Sequence, residues 1–204
     1  LITAIFLSGK YFHFPGAGRL TPKKTMEWVL KEIKVWHLEI KDPALPERAP
    51  TTYQLEALTN PDPAFCRYLY ATVGAPWIWY EKLGWTLGEW GNHVRRPDTH
   101  FWVAFQGGSP IGYFEIKDEG FGSAEICLFG LMPSWIGKGF GAHFLADAIR
   151  CATELSGGRV WLHTCSLDHP NALSNYQKQG FSVFSEEIFT ARVPAGPLEP
   201  YPGA

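Results

Sequence analysis

The stretch from Ser123 to Gly158 constrains the fold more than any other part of the chain. It reads as an apolar strand, SAEICLFGLM, closed by Pro133, then a turn with glycines at 137, 139 and 141, then a helical run from about Gly141 to Leu155 stopped by Gly157 and Gly158. Glycines at alternate positions let the backbone turn sharply and approach a ligand with no Cβ in the way. The amides of the turn and of the helix N-terminus then point outward and, with the helix dipole, form an anion site. Lys138 adds positive charge. The spacing G-x-G-x-G is neither the dinucleotide fingerprint nor a P-loop, since no Gly-Lys-Ser/Thr follows. Taken alone, the turn suits a phosphate group and an empty strand-to-helix connection equally well.

Around this unit the chain alternates short elements. Glu32–Lys41 alternates and is rich in β-formers, predicting a strand, and a proline-rich connection follows at 42–50. Asp62 and Pro63 open a helix over 62–73 with Phe65, Leu69 and Val73 on one face. Residues 75–90 are dense in aromatics, and Thr86 caps a second short helix running to about Arg96. HFWVAFQ and IGYFEIK, joined by GGSP, predict a hairpin. RVWLHTC reads as a buried strand, Pro170 to Gly180 as a helix, and FSVFSEEIFTARV as one long strand or a bent pair. In SAEICLFGLM, strict alternation puts Glu125, Cys127, Phe129 and Leu131 on one face. The fold class is α+β, a mixed and mostly antiparallel central sheet flanked by helices. The expected organisation is an extension over 1–25, a domain over 26–192 and a tail over 193–204.

Composition narrows the function classes. Of 204 residues 46% are hydrophobic and 19% charged, which is globular, and the net charge of −2 leaves no basic surplus to attract nucleic acid or an anionic membrane. The apolar N-terminal run is too short to span a bilayer and lacks a basic n-region. Cys66, Cys127, Cys151 and Cys165 form no Cys-x-x-Cys pair and have no zinc-like spacing with histidine, so no metal site is expected and the thiols read as buried in a reducing cytoplasm.

SAEICLFGLMPSWIGKGFGAHFLADAI resembles motif A of the GNAT acetyltransferases, in which a strand ends two residues before a proline and Q/R-x-x-G-x-G/A follows. Leu131 and Pro133 match the strand end, and Gly139 and Gly141 the two glycines; the Gln/Arg position is Ile136. NALSNYQKQGF resembles the second motif of the family, with Ala172, Tyr176, Gly180 and Phe181 in register; the family's Asn falls on His169, with Asn171 two residues later. The resemblance covers roughly residues 100–190 and implies a GNAT-like fold with a site for acetyl-CoA. It implies cofactor contacts from Leu131, Met132, Pro133, Gly137, Lys138, Gly139, Phe140, Gly141 and Ala142, and from His169 and Asn171 beside the pantetheine arm.

The implied reaction moves an acetyl or similar acyl group from acyl-CoA to a primary amine of a small molecule or peptide by direct transfer. The resemblance puts Tyr176 beside the sulfur, able to protonate the departing thiolate, and Glu125 on the strand entering the motif as a base acting directly or through water. A backbone N–H near Leu131 would meet the oxyanion. His163 and His169 are further candidates for base or polar contact. Cys165, Asp168 and His169 crowd one loop without a G-x-S-x-G elbow, which argues against a hydrolase. The segment WIWYEKLGWTLGEW would wall the acceptor site, with Trp79, Tyr80 and Trp85 as contacts and Glu81 and Glu89 as added negative charge. A non-catalytic acyl-CoA sensor is the alternative, and a homodimer is compatible with either reading.

Overall fold

The computed structural model describes residues 27–43 and 51–198. The extension over 1–25, most of the connection at 42–50 and the end of the tail lie outside the described residues. The element order is β1 (Trp28–Ile40), β2 (Gln54–Ala57), α1 (Pro63–Gly74), α2 (Leu87–Val94), β3 (Thr99–Gln106), β4 (Ser109–Gly120), β5 (Ser123–Leu131), α3 (Phe140–Ser156), β6 (Arg159–Cys165), α4 (Ala172–Lys178) and β7 (Ser182–Pro194). The fold is α+β, and its described strands form one mixed, mostly antiparallel sheet in the order β2-β3-β4-β5-β6-β1-β7.

Local chemistry explains the helix ends. Asp62 accepts a hydrogen bond from the Phe65 amide at 2.8 Å and Pro63 starts α1. Its buried residues Cys66, Leu69, Tyr70 and Val73 fall at helical spacing. Thr86 and Glu89 close a capping box on α2. Helix α3 begins at Gly139 and ends at Gly157, both left-handed.

The sheet is covered on both faces. One core holds Phe129, Leu131, Phe144, Leu145, Leu162 and Tyr176, beneath α3 and α4. The other holds Leu69, Tyr70, Trp90, Tyr113, Cys127 and Cys165, beneath α1 and α2. These layers correct the simple alternation expected in β5. The register with β4 slips, so that Glu115 faces Leu128 while Ile116 faces Ile126, leaving Cys127 as an extra residue. This bulge puts Cys127 with Leu128 on the α1/α2 side and turns Phe129 and Leu131 to the α3/α4 side. Two further features were not expected from sequence. The four-residue strand β2 borders β3, and β1 is inserted between β6 and β7, antiparallel to both.

Candidate active site

The sheet opens in one place that matters for chemistry. Strands β5 and β6 run parallel, but their pairing lasts only from Ser123 opposite Arg159 to Glu125 opposite Trp161. Beyond Glu125 no strand pairs with that side of β5 among the described residues, so β5 and β6 diverge into a wedge. Backbone polar groups along such an edge need partners, and an extended amide-bearing chain suits them. At the foot of the wedge, Oε1 of Glu125 stands 3.2 Å from Nδ1 of His163, a residue only 1% exposed. The contact is an ion-pair approach, off the axis of a hydrogen bond, and neither ring nitrogen of His163 has a hydrogen-bond partner.

At the far end of β5 the chain turns into α3. Leu131 and Met132 are buried, and the Met132 amide donates to Ile111 O at 2.8 Å, which fixes the strand end. Pro133 starts a short 3-10 turn, and the glycines follow. Gly137 and Gly139 have φ of 79° and 85°, a region that side chains resist, yet a Cβ at either would meet nothing within 4 Å. The turn therefore leaves open space before the first amides of α3, and no acidic residue stands in that helix's first turn. Phe140 is pinned between Tyr53 and Trp135, while Gly141 and Ala142 continue the first turn. Lys138 Nζ lies over the Trp135 ring, 4.6 Å from its centroid. Ile136 is half-buried and packs on the α3/α4-side core, so at that position the turn relies on backbone amides. A diphosphate suits this donor set by charge and by the open space beside Gly137 and Gly139.

Residues 52–181 match the model of the acetyltransferase (GNAT) family. The chain belongs to that family. No curated protein sequence matches it, but solved structures share its fold. A functionally unknown conserved protein from Staphylococcus epidermidis ATCC 12228 aligns with a TM-score of 0.59 at 15% identity, over 81% of this chain and 63% of its own. A GCN5-related N-acetyltransferase from Sphaerobacter thermophilus gives 0.61 at 14%, over 82% and 54%. A spermidine N-acetyltransferase from Vibrio cholerae, solved with CoA and spermine, gives 0.51 at 20%, over 69% and 93%. The chain spans 63%, 54% and 61% of the first three such structures. Its GNAT fold is thus shown by both family and structure.

The other expected residues come from α4 and from the loop between β6 and α4. Tyr176 is fully buried on the sheet-facing side of α4, edge-on to Phe181, on the opposite side of the sheet from Glu125. His169 packs 5.2 Å from the Trp77 ring, and its Nδ1 accepts from the Asn171 amide, which leaves any ring proton on Nε2. Burial lowers the His169 pKa below the usual histidine value. Asp168, from the same loop, accepts from Thr164 Oγ1 at 2.7 Å and the Cys165 amide at 2.9 Å; burial nonetheless pushes its carboxyl up to about 6. The Cys165 thiol is pushed up well beyond the ordinary range by burial, so it is no nucleophile. No group of three metal-ligating side chains occurs among the described residues. No described helix is long and apolar enough to cross a membrane.

The aromatic segment separates into distinct jobs. Trp79 is buried against Tyr70 and against Gly74, where a Cβ would stand only 2.4 Å from the Trp79 side chain. Tyr80 is half-buried, edge-on to Trp28. Glu89 serves the α2 capping box through the Thr86 amide and hydroxyl, which hold its carboxyl below the ordinary value. Glu81 keeps contact with solvent, but the mass around it removes hydration and pushes its carboxyl up to about 7, with Lys82 and His163 pulling the other way. Trp85 borders a buried cluster that the aromatic density concealed. Lys82 Nζ lies 3.1 Å from His93 Nε2 and 3.6 Å from Glu115 Oε2, with His93 3.1 Å from the same carboxylate oxygen. The Tyr70, Trp85 and Trp90 rings surround that ammonium.

Proposed function

We propose that this GNAT chain moves an acetyl or similar acyl group from acyl-CoA directly to a primary amine of a small molecule or peptide. The observation that carries the reading is the wedge between β5 and β6, with Glu125 and His163 at its foot and the glycine turn at its open end. Bound acyl-CoA supplies the thioester carbonyl that the amine attacks. The amides of residues 137–142, with Lys138, hold its diphosphate, and the free edge of β5 with His169 and Asn171 guides its arm. Glu125 takes a proton from the acceptor ammonium, directly or through water, which frees the nitrogen lone pair. A backbone N–H near Leu131 stabilises the oxyanion, and the Tyr176 phenol protonates the departing thiolate from the other side of the sheet.

The acceptor comes from the α1/α2 face. Glu125 and Glu187, joined by Glu81 where the pH exceeds about 7, give that face negative character, which suits a cationic amine, and Tyr80 and Trp85 wall it over a support formed by Trp79. The test is thiol release from acetyl-CoA across a panel of primary amines including polyamines, with Tyr176→Phe and Glu125→Gln alongside. Amine-dependent release lost in both variants is the expected result. Binding of acetyl-CoA without release on any amine would favour the sensor, and no binding by calorimetry would sink the reading.

A further inference from the structure

Four titratable side chains cross the α1/α2 face of the sheet in a line, one per strand. Glu125 on β5 meets His163 on β6; His37 on β1 sits directly opposite His163 in the antiparallel register; Glu187 lies diagonally beyond on β7. The two imidazole centroids are 5.9 Å apart, and His37 Nε2 is 3.4 Å from Glu187 Oε1. Both histidines are buried, at 6% and 1% exposure, and neither His37 Nε2 nor either nitrogen of His163 has a hydrogen-bond partner. Leaving such groups unsatisfied is costly, so the row is built for donors and acceptors that come and go. Its outer end reaches water: the Glu187 side chain is 47% exposed and borders a pocket of about 260 Å3 shared with His37, Trp161 and Phe184.

Acyl transfer to an ammonium requires such a path. The acceptor enters with one proton more than the attacking amine carries. The nitrogen lone pair forms the C–N bond and the C–S pair leaves on sulfur, which takes the Tyr176 proton while the second proton of the nitrogen restores the phenol. The sum is an ammonium plus a thioester giving an amide, a thiol and one released proton. We propose that His163 and His37 relay that released proton from Glu125 across β6 and β1 to Glu187 at the surface. The relay rests on the acyl-transfer reading above. A water bridging the rings would complete it.

Glu81 and Asp168 approach His163 from the α1–α2 connection and from the loop after β6. Arg159 lies beyond Trp161, held by Glu39 at 2.6 Å. Burial lowers the His37 pKa, as does neighbouring His163, against opposing pulls from Glu187 and Glu125. A neutral His37 is the form able to accept a proton.

The experiment measures kcat and KM from mildly acidic to alkaline pH for His37→Gln and Glu187→Gln, with Glu186→Gln as control, since Glu186 pairs with Lys34 outside the row. Both row variants should lose roughly a hundredfold in kcat at neutral pH, the low end of the scale of proton-transfer catalysis, keep their KM for acetyl-CoA, and recover with added imidazole. Glu187→Gln, a half-exposed surface change, should also alter the NMR titration of the His37 ring, whose Nε2 faces Glu187 at 3.4 Å. Unchanged pH profiles in an active enzyme, a kcat loss uniform at all pH, or a His37 titration indifferent to Glu187→Gln would each overturn the relay alone. A wild-type chain active on no amine would overturn the acyl-transfer reading and the relay's role with it.

Discussion

Lys82→Met separates charge from packing in the cluster beneath α2. Methionine keeps an apolar stem in the box of Tyr70, Trp85 and Trp90, but removes the ammonium 3.6 Å from the Glu115 carboxylate. Glu115 is 3% exposed, and burial alone would raise its pKa; Lys82 and His93 more than offset this and hold it below the ordinary carboxylate value. Removing one partner of a buried pair costs about 3–5 kcal/mol, and the remaining His93 contact at 3.1 Å favours the lower end, about 3 kcal/mol. That corresponds to a fall in Tm of roughly 6–12 °C for a chain of this size. The wild-type contribution is present above the unfolded carboxylate pKa and fades as pH falls through the lowered folded value. In the variant, burial dominates and Glu115 titrates high, so stability is lost as pH rises. The gap between the two proteins should therefore be widest at neutral pH and close on acidification. Urea unfolding at several pH values measures it, and a Lys82→Met/Glu115→Gln double variant should be less destabilised than the two single losses added. A neutral-pH cost below about 1 kcal/mol, or strict additivity, would refute the argument, because a compensated buried charge predicts neither.

Three further changes test the rest of the site. Gly139→Ala forces a side chain into φ 85° where no atom obstructs it, so the fold should persist with a loss of about 1–2 kcal/mol, and calorimetry should show weaker CoA binding from the displaced turn amides. Ile136→Arg restores a side-chain cation at a half-buried turn position and should tighten CoA binding roughly twofold to fivefold, the scale of a partly exposed ion pair, with the gain shrinking as salt is added. Glu81, raised to about 7, binds a proton in the folded state that the unfolded chain gives up, so stability falls as pH rises between the ordinary carboxylate pKa and about 7; Glu81→Gln should flatten that fall in urea midpoints taken across the window.

What the sequence made legible was local. The strand, the glycine turn and the stop at Gly157 follow from residue types a few positions apart, as do the Asp62 and Thr86 caps. The four residues of β2 are too few for a periodic signal. Thr86 was legible as a cap, and the Glu89 three residues on completes a capping box, a pairing that reading Glu89 as added negative charge left out. The bulge at Cys127 inverts the expected faces of Phe129 and Leu131 because one inserted residue resets a period of two. Lys82, His93 and Glu115 meet across a helix connection, a helix and a strand, and no spacing encodes that meeting.

The placement of β1 has the largest consequence for the site. The family match runs over residues 52–181 and therefore contains Glu125, His163 and Tyr176, but neither β1 nor β7. Strand β6 would be left with an unpaired edge beyond the wedge were β1 not laid against it through Val35–Ile40. The same pairing sets His37 opposite His163, and β7 then adds Glu187 by pairing with β1 over nearly its full length. The inner half of the row thus belongs to the family core and the outer half to strands from both ends of the described chain. On the proposed relay, the route by which the acceptor proton leaves is set by what lies against β6 rather than by the residues proposed to hold the acyl donor.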